Sequence, residues 1–384
     1  MLSVAESGSD LMLLTWTGAG RGRGSQGAAL EAEKAWSGLD AALVERGAVP
    51  IQERVFGTLQ VAPDVARGRA AAVGSESDRW EVPPTYVEGG PVDHEGLAGI
   101  HVVAARTERT SLVRDGKRVL GRVAECESAR IMGLADIGRL AAGRLAPGPA
   151  EETGATLDAA VDLLENHGYS FRDVARTWFY LRDILDWYGP FNAVRNDAFR
   201  RLGLMGTNGD GAIPASTGIE GRNARGGWCT LDLIAAQAQA GGRFEMERLH
   251  NRKQNEATEY GSAFARGMAL TLGDCRYYFV SGTASIDDRG ATVHVGDFDT
   301  QAAFTLTAVS SLLESAGAAL PDVRQATAFL KNPCDRRSFE GIADRVGLSG
   351  VPMVTTVADV CRDDLLFEID ATAVVPLRRG ETGR

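Results

Sequence analysis

The chain has 384 residues, 44% of them apolar, and a net charge of −10. That size suits two or three domains with real hydrophobic cores, and the acidic balance argues against a nucleic-acid partner. No apolar run approaches the roughly 18–20 residues that a membrane-spanning helix needs, so no membrane partner is expected.

Leu11 to Trp16 is short and apolar, with no basic stretch before it and no small-residue cleavage site after it. It reads as a buried strand, not a signal peptide. The short run Arg21-Gly22-Arg23-Gly24 reads as a turn. Cys126, Cys229, Cys275, Cys334 and Cys361 are odd in number, widely spaced and free of any CxxC pair. A reducing, cytoplasmic compartment is the expectation, without a disulfide frame or structural zinc. The five histidines form no HxH or HExxH pattern, so no metal is expected.

The predicted elements recur. A loose apolar strand runs from Leu13 to Gly18. Leu30, Lys34, Leu39 and Leu43 then mark a helix stopping at Gly47, followed by a strand from Ile51 to Leu59 and a closing strand from Gly99 to Ala104. The region Arg106 to Lys117 joins this unit to the next. There, Ile131-Met132-Gly133 ends a strand, and Leu157, Val161 and Leu164 mark a helix stopping at Gly168. A strand from Val174 to Leu181, a short helix from Phe191 to Phe199 and a closing strand from Thr230 to Ala235 follow. The charged stretch Arg243 to Glu256 reads as a linker. The third unit opens on Phe279-Val280-Ser281-Gly282, has a helix through Phe304 and Leu313 stopping at Gly317, a strand from Val323 to Leu330, and a closing strand from Glu368 to Ala373.

The intervals repeat as well as the order. Each helix stops at a glycine suited to a left-handed cap. From that glycine to the end of the next strand is 12, 13 and 13 residues. Pro83, Pro214 and Pro352 each precede the closing strand by 16 residues. The closing strands alternate like half-buried strands. Three tandem units, 1–110, 111–242 and 243–384, are therefore expected.

Strand, helix, strand and a closing segment of the type E-I-E-A-x-A resemble the YjgF/Rid family, whose members are small trimers with ligand pockets between subunits. The resemblance implies an α/β fold of three degenerate units forming a single-chain pseudo-trimer, hence a monomer. Family deaminases carry an arginine just after the proline that begins the closing segment. Here the positions are Pro84, Ala215 and Met353. A narrower resemblance is to the chorismatases, which remove pyruvate from chorismate. It rests on Trp178 to Ile184, Phe191 to Asn196 and Ala358 to Asp370. It implies that Arg182 and Arg195 bind the two substrate carboxylates and that Glu368 is the acid. Cys361 resembles the branch that forms 3-hydroxybenzoate, and Ala284 matches a second product-controlling position. Tyr260 falls where Rid proteins place substrate-contacting residues. The reaction needs no metal or organic cofactor. The alternatives are a Rid-type imine or enamine deaminase and a non-catalytic ligand-binding pseudo-trimer.

The residues fit that chemistry. Glu368 replaces Gly99 and Thr230 of the other units, so folding does not demand a carboxylate there. Following Leu365, Leu366 and Phe367, it should be desolvated, and desolvation makes a carboxyl a better acid near neutrality. Arginine forks suit carboxylates. His94 and His101 read as a loop residue and a solvent-facing strand residue. Because the acid lies in unit three and the arginines in unit two, one productive cleft is expected, with the clefts of unit one catalytically empty.

Overall fold

Among the described residues, three sheets, each backed by two helices, repeat one topology along the chain. The computed structural model describes residues 1–7, 10–18, 24–74, 77–93, 96–138, 148–205, 211–251 and 263–377. Tyr260, His94, Arg21 to Arg23 and residues 252–256 of the expected linker lie outside these.

Unit one comprises β1 (Leu2–Ser7), β2 (Leu11–Thr17), α1 (Gly24–Glu45), β3 (Val49–Gly57), α2 (Ala62–Val73), β4 (Thr85–Glu88) and β5 (Leu97–Ala105). Unit two comprises β6 (Thr110–Asp115), β7 (Arg118–Glu125), β8 (Ala129–Gly138), α3 (Pro149–Glu165), β9 (Val174–Leu181), α4 (Ile184–Arg201), β10 (Ala215–Glu220) and β11 (Cys229–Ala238). Unit three comprises β12 (Phe244–Leu249), β13 (Gly267–Leu272), β14 (Cys275–Ala284), α5 (Phe298–Ser315), β15 (Val323–Leu330), α6 (Arg336–Arg345), β16 (Met353–Val357) and β17 (Phe367–Pro376).

The sheet orders are β1-β2-β5-β3-β4, β10-β9-β11-β8-β7-β6 and β12-β13-β14-β17-β15-β16. In each, the closing strand runs antiparallel between the opening strand and the strand after the long helix. A short parallel strand follows the second helix at the edge. The long helices end on left-handed glycines, Gly47 (φ 59°), Gly168 (77°) and Gly317 (85°), where a Cβ would be strained.

Register makes the pseudo-symmetry explicit. Phe56 faces Gly99, Tyr180 faces Thr230, and Phe329 faces Glu368. The Phe56 ring meets Tyr180 and Phe329 edge-on, with centroids 6.2 and 6.4 Å away. Aromatics from all three units thus meet in one shared core, and each unit has a second core between its helices and sheet.

Two expectations are corrected here. The closing strands are buried on both faces, not one, because the shared core covers the side that alternation assigns to solvent. His101 is accordingly 1% exposed, bonded to Thr15 Oγ1 at 3.1 Å and to the Ala326 carbonyl at 3.1 Å. The expected connectors also carry edge strands, β6 and β12. β12 alternates Glu245 and Glu247 outward with Phe244 and Met246 packed on the shared core, so its charges are one face of a strand.

Side chains tie the units together. Thr85 donates to Asp232 at 2.7 Å between units one and two. Gln325 donates to the Leu14 carbonyl at 3.1 Å between units three and one. Thr217 donates to Asp370 at 2.9 Å between units two and three, and this last seam holds the acid.

Candidate active site

The β14–β17 ladder shifts register between Val280 and Thr283. This bulge pushes Ser281 and Gly282 toward unit two, where Ser216 N–H donates to Ser281 Oγ (2.8 Å) and Gly282 N–H donates to Thr217 Oγ1 (3.1 Å). A Cβ on Gly282 would stand 2.1 Å from Glu368 Oε1. The missing side chain is the space the acid occupies.

Glu368 is 5% exposed, and among the described residues no donor is hydrogen-bonded to its carboxyl. Burial pushes that carboxyl up to about 8, the nearby Asp370 charge adds to this, and Arg176 opposes it. A carboxyl in this state carries its proton at neutral pH. Asp370, two residues on, accepts from Arg176 (3.0 Å), Trp178 (3.0 Å) and Thr217, all from unit two. The network fixes β17 against β9 and β10 and sets the position of Glu368.

The opposite wall comes from α4. Asp183 takes the left-handed conformation (φ 53°), and the N–H groups of Asp183 and Ile184 donate to Glu220 at 3.0 and 2.7 Å. The helix runs longer than the segment Phe191 to Phe199 and kinks at Trp187, near Pro190. This brings Tyr188 and Arg195 to the seam. Arg195 is 1% exposed, donates to Asn192 Oδ1 at 2.7 Å, and lies 5.7 Å from the Phe264 ring. Arg266, which precedes β13, lies 5.7 Å from the same ring.

Glu368, Arg195, Cys361 and Ala284 therefore line one pocket, joined by Arg266 and Tyr188. Ala284 faces Glu368 across the ladder. Burial, and next the Glu368 charge, push the Cys361 thiol up to about 12, so it sits there as a neutral, apolar group. Arg182 does not join them. The turn at Asp183 carries its guanidinium over the Trp228 ring (4.7 Å) and onto Asp183 (3.1 Å), with 43% of the side chain exposed. Arg266 and Arg362 are the other guanidiniums of the pocket lining, and Arg266 is the one that shares the Phe264 ring with Arg195. Arg266 was not singled out because it falls outside the repeating intervals, and its signals were its place at the end of the segment Tyr260 to Arg266 and the aromatic Phe264 two residues before it. Asp370 and Gly282 were also missed as working residues. The pocket is closed down to a free volume of about 40 Å³.

Comparison with known proteins gives the context. The family model described as Endoribonuclease L-PSP matches residues 269–375. The 3-hydroxybenzoate synthase of Streptomyces hygroscopicus is 29% identical over 251 residues, which is 58% of this chain and 69% of that protein. A crystal structure of a chorismatase superposes with a TM-score of 0.63 at 21% identity, covering 85% of this chain and 93% of that one. Together with the threefold repeat of sheet, cap and seam, these matches show that the chain has the fold of that chorismatase structure and that residues 269–375 are similar to the L-PSP family.

Proposed function

We propose that the chain is a chorismatase that releases pyruvate from chorismate. The observation carrying this reading is the buried Glu368 carboxyl, with no hydrogen-bond donor among the described residues and pushed up to about 8 by burial, in a pocket with Arg195 and Arg266. Protonation of an enol ether at its terminal methylene carbon is slow in water and requires a positioned acid. Glu368 delivers its proton to that carbon. The carbon bearing the ether oxygen becomes an oxocarbenium centre, and the two arginines hold the substrate carboxylates by paired hydrogen bonds.

Attack of the neighbouring ring hydroxyl on the cation, followed by loss of pyruvate and aromatisation, gives 3-hydroxybenzoate. The two products together contain the atoms of chorismate, with no water consumed. Attack by water instead leaves a dihydroxycyclohexadiene carboxylate. The name of the Streptomyces hygroscopicus relative and the neutral Cys361 in the pocket support the 3-hydroxybenzoate route. A free volume of about 40 Å³ is too small for the substrate, so binding widens the pocket. Arg362, partly buried in its lining and held by a hydrogen bond to Thr292 Oγ1 (3.3 Å), is one side chain that could give way.

Pyruvate release from chorismate by the purified chain, read with a lactate-dehydrogenase couple, tests the activity, and chromatography of the aromatic product tests the branch. No pyruvate above the spontaneous rate would overturn the reading.

A further inference from the structure

Unit one was expected to be scaffold, yet a cavity far larger than the one at Glu368 opens beside its seam with unit two. It has a volume of about 640 Å³, within the range of small-molecule sites. Its apolar walls are Trp36 of α1, Trp80, Tyr86 of β4, and Ala62, Ala66 and Ala70 along one stripe of α2. The polar tips of the three aromatics are engaged elsewhere. Trp36 donates to Glu53 (2.9 Å), Trp80 to Asp40 (2.7 Å), and Tyr86 to the Thr58 carbonyl (2.8 Å). What they offer the cavity is ring surface.

The polar end is assembled from both units. Asp136 sits in the β8 bulge that corresponds to the bulge of Gly282 in unit three. It is 6% exposed and left-handed (φ 56°), a conformation uncommon outside glycine and sustained only when the surroundings hold it. Asn223 donates to it at 2.6 Å and Arg225 pairs with it at 2.7 Å. Arg69, across the cavity, spends Nε and Nη2 on Glu53 and on the carbonyls of Trp80 and Val82. Among the described residues, Nη1 of Arg69 and Nε and Nη2 of Arg225 have no hydrogen-bond partner. Glu81, also in the lining, is paired through Oε2 with Arg114 (3.0 Å), and the unengaged donors are guanidinium groups beside aromatic faces. The complementary molecule is a flat apolar ring bearing an acceptor anion.

We infer that this cavity is a second binding site, distinct from the pocket of Glu368, for a small aromatic carboxylate. The ring lies against Trp36, Trp80 and Tyr86, and the carboxylate takes the free nitrogens of Arg225 and Arg69. The inference does not depend on the reaction proposed above.

Calorimetric titration of the full-length chain with benzoate, and with benzyl alcohol as the uncharged control, tests it. Two variants separate this site from the other pocket. Ala66→Trp puts an indole into the cavity from an exposed helix position. Arg225→Gln removes the donor while Asn223 and Arg118 still hold Asp136. Ala66→Trp should abolish one benzoate-binding event. Arg225→Gln should weaken it by roughly 10- to 100-fold, the usual worth of a charge-assisted hydrogen bond. Benzyl alcohol binding should be unchanged in Arg225→Gln, and pyruvate release from chorismate should be unchanged in both variants. Benzoate isotherms of the variants that superimpose on those of the native chain would overturn the inference. Should Ala66→Trp fail to fold, Arg225→Gln, at a half-exposed side chain, decides alone.

Discussion

Glu368→Gln should make the protein less active and, at alkaline pH, more stable. The amide is isosteric with the carboxyl but does not ionise. The native carboxyl titrates at about 8 in the fold, against an ordinary value of 4.5. Below that ordinary value, the folded and unfolded chains both carry the proton and the group contributes no pH dependence. Between the two values the unfolded chain loses its proton while the folded chain keeps it, so native stability falls as pH rises. The loss levels off once the folded carboxyl ionises as well. One pKa unit is worth about 1.4 kcal/mol, which makes the loss on the order of 4 kcal/mol by pH 8. The buried amide brings a cost of its own, about 1–3 kcal/mol, but that cost does not vary with pH. The readout is therefore a slope. Urea midpoints of both proteins, measured in half-unit steps from pH 4.5 to 8.5, should diverge steadily in favour of the variant. Two stability curves that run parallel across that window would refute the claim that Glu368 is held protonated by burial.

The companion effect on turnover of Glu368→Gln is a loss of roughly 10²–10⁴-fold with the fold intact, the usual range for a general acid, read by the pyruvate assay. Native turnover should itself decline above about pH 8 as the acid ionises, which a pH–rate profile checks. Gly282→Ala places a methyl 2.1 Å from Glu368 Oε1 and should displace the acid, cutting kcat by about 10²-fold or more with little change in the circular dichroism spectrum. Asp370→Asn removes the charge that helps to keep Glu368 protonated, so the alkaline limb of the pH–rate profile should move to lower pH. Arg266→Met should raise the KM for chorismate by roughly 10-fold or more, whereas Arg182→Ala, on an exposed side chain paired with its neighbour, should leave KM within about twofold.

The frame of the molecule was legible because it is written three times. Helix, left-handed glycine, strand and closing strand recur at matched intervals, and the strands Val174–Leu181 and Val323–Leu330 fall where the pattern put them. The second helix of units one and three was not read, because α2 and α6 are short and their apolar positions few. Contacts between units were hidden for a different reason. Alternation along β5 reports which side chains leave one face together, but not that a second unit covers that face, so buried His101 read as exposed. The site followed the same rule. Glu368 stood out by comparison with Gly99 and Thr230, and Arg195 is carried inward by its helix. Arg182 misled because it adjoins a strand that does reach the seam, and one left-handed residue, Asp183, turns it away. Arg266 belongs to no repeating interval, and only the three-dimensional packing of Phe264 between two guanidiniums distinguishes it from its neighbours.

Joining three units in one polypeptide changes what a destabilising residue costs. In an assembly of identical subunits, any substitution at a seam appears at every seam. A buried acid worth on the order of 4 kcal/mol would then be borne three times, a sum comparable with the whole net stability of a typical protein, about 5–15 kcal/mol. A fused chain carries the burden once. Gly99 and Thr230 stand at the corresponding places of the other units, where Gly99 packs against Val354 and Thr230 accepts from Asn223. The fusion therefore lets one seam carry this acid while the matching positions of the other two do without it, and it frees those two seams to diverge.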